Sequence, residues 1–155
     1  MPFAKTKYFG SVTYTPESVF DFPFGLPAFD HEKRFLLIES REHAPLVFLQ
    51  SLENAGLCFL AFPIFVVQRE YQLAISAEDL QALELDAGRQ PELGAEVLVL
   101  ALLSLHDGNS PTANLMAPVV INLKTRRALQ AIRHDSVYSH EHPVAPLSKE
   151  EACSS

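Results

Sequence analysis

The chain has no tryptophan, two cysteines, two methionines and six glycines among 155 residues. Each scarcity removes a class of function. The glycines are scattered, so there is no phosphate-cradling loop, and neither a G-x-S-x-G elbow nor an H-E-x-x-H pair is present. Two cysteines without a C-x-x-C spacing make no disulfide framework. Cys58 lies inside the apolar run Leu57–Ala61 and reads as a small buried hydrophobe, which leaves a reducing cytoplasm as the expected compartment. The longest apolar run, Val97–Leu103, falls far short of the roughly 20 residues of a spanning helix, so no membrane association is expected. The first residues, Met-Pro-Phe-Ala-Lys-Thr-Lys, lack the apolar stretch of a signal peptide. The chain is also short of positive charge, with 12 Lys and Arg against 19 Asp and Glu, net −7. Phosphate backbones are gripped by Lys and Arg, so direct nucleic-acid binding is not expected.

What is present is an ordinary globular composition, 48% hydrophobic and 20% charged, of a length that makes one domain with a real core. Strand signals dominate. They cover Tyr8–Tyr14 with a glycine break, Phe35–Ile38, Leu46–Leu49, Leu57–Phe62, Tyr71–Ile75, Glu96–Leu105, Val119–Leu123 and Leu129–Arg133. The polar stretch Ser40–His43 suits a hairpin between the second and third of these, and His106–Pro111 and Thr125–Arg127 mark later turns. One helix is predicted after Ser76, which caps it, with Glu78 and Asp79 at the positive end of its dipole and Leu80 and Leu83 on its inner side. Residues 1–143 are expected to form a single mainly β domain, a small closed or nearly closed barrel of about eight strands capped by one or two short helices. The run Val97–Leu103 implies a strand covered on both faces. Residues 144–155 have no apolar period and read as a flexible tail.

Charge is unevenly spread. Glu70, Glu78, Asp79, Glu84, Asp86, Glu92 and Glu96 face a single base, Arg89, across one stretch, whereas Lys124, Arg126, Arg127 and Arg133 cluster later. Such a run either solvates a surface or steers a basic partner. His134-Asp135 with His140-Glu141-His142 is the nearest approach to a metal cluster. It falls where the chain leaves its last strand, and neither a metal, a cofactor nor an enzymatic centre is expected.

Two stretches stand out. Phe20–Phe29 sets four phenylalanines among two prolines and a glycine, too aromatic for a solvated loop and too proline-rich for a strand interior. Thr112–Asn122 brackets an apolar core between Asn114 and Asn122, with Pro118 beginning the β-branched run Val119–Ile121. Together they resemble the flagellar assembly factor family, FliW. Members carry an FP-x-GLPGF loop, an F-x-WLQS strand, an NL-x-AP-[IV]-[VI]-IN segment and a late Q-x-I. Here these are Phe22–Phe29, Phe48-Leu49-Gln50-Ser51, Asn114–Asn122 and Gln130-Ala131-Ile132, followed by Tyr138 and His142-Pro143. Ala28 replaces the usual glycine, Phe48 directly abuts Leu49 with no tryptophan between, and Phe62-Pro63 stands where Asp-Pro is common. The resemblance implies a small β-barrel that binds flagellin and, when free, binds and antagonises the translational repressor CsrA. Candidate contact residues are Phe24, Leu26, Glu70, Glu78, Asp79, Glu84, Asn114 and Asn122. The Phe22–Phe29 loop and the Asn114–Asn122 segment each remain open between architecture and partner surface. A different class, a small-molecule or flavin-binding barrel carrier, would need a phosphate grip, for which Lys124-Arg126-Arg127 is the candidate.

Overall fold

The computed structural model describes residues 2–26 and 28–144. Among these residues eleven strands and two short α-helices are formed: β1 Phe3–Thr6, β2 Gly10–Thr13, β3 Val19–Asp21, β4 Arg34–Glu39, β5 Val47–Ser51, β6 Cys58–Pro63, α1 Ile64–Val67, α2 Ala77–Ala82, β7 Val97–His106, β8 Asn109–Ala113, β9 Val119–Asn122, β10 Ala128–Gln130 and β11 His142–Pro143. The main sheet runs β10-β9-β7-β6-β5-β4-β3, with β8 branching from β7 and β11 from β8. All strand pairings in it are antiparallel. The expected mainly β character is observed, but the closed barrel is not. The edges β3 and β10 meet through one isolated bridge, where Asp21 N–H donates to Arg126 O at 2.9 Å, and no ladder joins them among the described residues. With three residues in each edge strand, there is too little backbone to extend that contact.

Side-chain alternation explains how the curled sheet is filled. Along β7, Val97, Val99 and Ala101 enter a core beneath Ile64 of α1, Tyr71, Ile75 and the α2 residue Leu80. Leu98, Leu100 and Leu102 point the other way, into the concave side with Phe22, Phe35, Leu49, Val119 and Ile121. Both faces of β7 are therefore covered, as its unbroken apolar run implies. A smaller cluster of Leu46, Phe48 and Phe62 sits outside β5 and β6, with Phe9 and Cys58 packed on it.

Three expectations are corrected. Tyr8–Tyr14 is not one interrupted strand: β1 and β2 form a separate hairpin, and Gly10 opens β2 at φ +66°. Tyr71–Ile75 joins no ladder; Tyr71 and Ile75 are buried as a loop laid over β7 and β9. Asn109–Ala113, unread as a strand, pairs with β7 across the Asp107-Gly108 turn. The α2 cap is as expected, Ser76 Oγ accepting the Asp79 N–H at 3.1 Å. Of the expected tail, Val144 packs on the core and donates its N–H to Pro111 O at 3.1 Å, and residues 145–155 lie outside the described part. Gln50, fully buried in β5, places Nε2 within 3.0–3.3 Å of the carbonyls of Ser51, Asn54, Ala55 and Leu57. A polar side chain in an apolar strand thus ties down the β5–β6 turn.

Candidate functional site

The β6–β7 ladder stops at Ala61–Leu102, although β6 begins at Cys58 and β7 continues to His106. Beyond that point β7 leaves β6 to pair with β8. The sheet splits there and opens a cleft of about 460 Å³, whose walls include Leu26, Phe59, Leu102, Asn114, Met116, Gln130 and Ile132. A second cleft of about 350 Å³ is lined by Phe24, Gly25, Leu26, Ala28, Asp30, Asp79, Leu129 and Gln130. Leu26 and Gln130 belong to both, so the two hollows flank one ridge. Three stretches far apart in the chain, Phe22–Phe29, Asn114–Asn122 and Gln130–Ile132, meet at this place.

The loop carrying Leu26 is set by its rings and its glycine. Phe22 is fully buried and meets Phe35 edge-on at 5.1 Å. Leu26 and Phe29 exchange backbone hydrogen bonds of 3.3 and 2.7 Å. Gly25 sits at φ +64°, and a Cβ there would lie 2.5 Å from Phe29 O and Asp30 Cα, so no side chain fits. Phe29 is 37% exposed and touches Phe59 edge-on. Phe24 stands out at 60% exposure, between Pro23 and Gly25.

The expected contact residues divide into three groups. Phe24, Leu26, Asp79 and Asn114 line the clefts. Leu26, at 2% exposure, forms floor instead of rim, and Asn114 Oδ1 is occupied by the N–H groups of Met116 and Ala117 at 3.1 and 2.9 Å. Asn122 is interior. Its Oδ1 accepts from Lys124 and Thr125, and its Nδ2 donates to Leu83 O at 2.7 Å, which stitches β9 to the end of α2. It has no surface to offer a partner. Glu70, Glu78 and Glu84 are exposed and line neither cleft. Glu84 instead shapes the backbone. At φ +62° it ends α2, its N–H donating to Gln81 O while Leu85 N–H donates to Leu80 O, the Schellman arrangement.

The acidic stretch is less free than its composition implies. Arg89 grips Glu96 through two bonds of 2.9 and 2.6 Å, and this pairing, with the Glu92 N–H, holds the Glu96 carboxyl down at about 2. Arg127 Nε donates to Ala82 O at 2.9 Å, so one member of the Lys124-Arg126-Arg127 trio is taken up by α2. Asp135 gives both oxygens to Arg133 at 2.9 Å, and no group of three metal-ligating side chains is assembled among the described residues. Burial pushes the Cys58 thiol up to about 11, which keeps it protonated and unreactive.

Arg133 is the residue that sequence reasoning misplaced. Grouped there with Lys124, Arg126 and Arg127 as one cluster of bases, it is 5% exposed. Its guanidinium lies 5.4 Å from the Tyr71 ring centroid and 4.8 Å from that of Tyr138, whose rings stack at 4.4 Å. It also donates to Gln72 O. Tyr71 Oη donates to Leu115 O at 2.7 Å, and Tyr138 Oη accepts the Gln72 N–H at 3.1 Å. Asp135 raises the Arg133 pKa further, while burial raises that of Tyr71. The knot fastens the chain after β10 to the loop before α2, behind the Asn114–Met116 wall. The nearby Asp135 and Tyr138 were the local signal for it.

Sheet and clefts define a mainly β protein with surface clefts whose walls carry apolar, amide and carboxylate groups. No helix among the described residues is long and apolar enough to cross a membrane. The model of the family described as FliW protein matches residues 4–144. The flagellar assembly factor FliW of Syntrophomonas wolfei is 37% identical over 143 residues, covering 92% of this chain and 88% of that one. That of Bacillus subtilis strain 168 is 31% identical over 140 residues, covering 90% and 94%. A crystal structure of a flagellar assembly factor FliW superposes with a TM-score of 0.80 at 28% identity, covering 96% of this chain and 99% of that one. The chain belongs to the FliW family of flagellar assembly factors.

Proposed function

We propose that this assembly factor works as a partner switch: it binds flagellin, and when flagellin is scarce it binds CsrA and relieves repression of flagellin synthesis. The observation that carries the reading is the meeting of three family motifs at one cleft. A motif kept only for folding has no need to border a surface hollow, whereas one that meets a partner must. The apolar walls suit a flagellin helix, and the acidic excess suits a basic repressor. Neither role calls for a catalytic group, and the reading uses none.

Isothermal titration of the full chain against purified flagellin and, separately, purified CsrA tests the proposal. Saturable binding of both at micromolar concentration or tighter is expected. Absence of heat and of co-elution with either protein would overturn it.

A further inference from the structure

We infer that the two clefts beside the Leu26–Gln130 ridge seat a peptide segment of a partner that presents an apolar side chain flanked by lysine or arginine. This rests on the partner reading above and assigns it a place on the molecule. The apolar half of the site is its lining. Leu26, Phe59 and Leu102 extend the concave core to the surface, while Ile132 and Phe24 stand at the rims, 49% and 60% exposed. Covering that surface recovers hydrophobic free energy that the isolated chain forgoes.

The charged half is the polarity of what surrounds it. Glu141, beside His140, lines the first cleft and Asp30 and Asp79 the second, and among the described residues no lysine or arginine lines either. On the shared ridge, Gln130 Nε2 is committed to Ala117 O at 2.9 Å, and its Oε1 is buried without a hydrogen-bond partner among the described residues. That oxygen is closed off from solvent, so the polarity a partner meets here is that of the exposed carboxylates. A cationic neighbour to the apolar anchor complements these carboxylates, whereas an acidic segment meets three like charges.

Three variants of the full chain, Ile132→Arg, Asp30→Lys and the control Val137→Arg, are titrated with purified flagellin and with purified CsrA, and their Tm values recorded. Val137 is 66% exposed and lines neither cleft. Ile132→Arg is expected to weaken at least one partner on the order of ten-fold. Asp30→Lys is expected to weaken the same partner and flatten the salt dependence of its binding, with Val137→Arg and all Tm values unchanged. Ile132→Ser repeats the test should the arginine lower Tm. Unaltered binding of both partners by both cleft variants would overturn the assignment and leave the partner reading standing. Weakening by Ile132→Arg but not by Asp30→Lys would overturn the cationic occupant. Failure of the unsubstituted chain to bind either protein would overturn the partner reading and this inference with it.

Discussion

Ala28 occupies the left-handed region at φ +69°, where its Cβ crowds the following carbonyl at a cost of about 1 kcal/mol. The glycine usual in the family's loop motif would be free of that strain. Ala28→Gly is therefore expected to raise stability by up to about 1 kcal/mol, offset in part by the entropy of the unfolded chain, with a higher Tm in thermal denaturation. A lower Tm would show that the methyl group has a packing role. Phe24 tests the same loop from outside. Phe24→Ser removes a ring that is 60% exposed, so stability should change by no more than about 0.5 kcal/mol, while affinity for one partner falls. Unfolding of that variant would make the loop a core plug. What was legible at this scale was local. Ser76, Asn114 and Asn122 bond backbone groups two or three residues away, and such short-range chemistry is written in neighbouring positions. Arg133 was legible only in part: Asp135 stands two residues on, but the rest of its setting depends on Tyr71, 62 residues away.

Among the elements, β9 is the clearest test of architecture. Ile121 is fully buried on the concave face beside Phe35 and Leu49. Ile121→Ala should cost about 2–5 kcal/mol through lost burial and a cavity, lowering Tm and weakening both partners together. The loop after α2 supplies a pH prediction. Arg89 holds the folded Glu96 carboxyl at about 2, below the roughly 4.3 of an unfolded glutamate. The stabilisation is thus fully present above the unfolded value and is lost as pH falls through the folded one. Glu96→Gln should lower stability at neutral pH and flatten the acid-side decline in that window, read from urea unfolding at stepped pH. An unchanged slope would mean that the pair contributes nothing measurable, as many exposed pairs do not. The apolar alternation of β7 was readable because it is long and covered on both sides. Tyr71–Ile75 misled because its aromatic and β-branched content is that of a strand, whereas its burial comes from lying across β7 and β9 without pairing. The β1–β2 hairpin was hidden by a turn whose residues, Lys7-Tyr8-Phe9, carry strand-like side chains of their own.

At the scale of the whole molecule, the mainly β class followed from many short strands, but closure did not. Whether a curled sheet closes depends on the lengths and register of β3 and β10 at its edges, which composition does not set. The same is true of the cleft. Each of its motifs was visible, yet their convergence arises only when β7 parts from β6 and pairs with β8. A switch that senses free flagellin requires the binding free energies of flagellin and CsrA to be coupled unfavourably, and under the function proposed above a cleft entered by both would supply that coupling by exclusion. The most direct measurement is a titration of the preformed complex with labelled CsrA by purified flagellin, followed by fluorescence anisotropy. Saturable release of CsrA to the anisotropy of the free protein is expected, whereas a stable ternary complex, with CsrA retained at saturating flagellin, would contradict the switch.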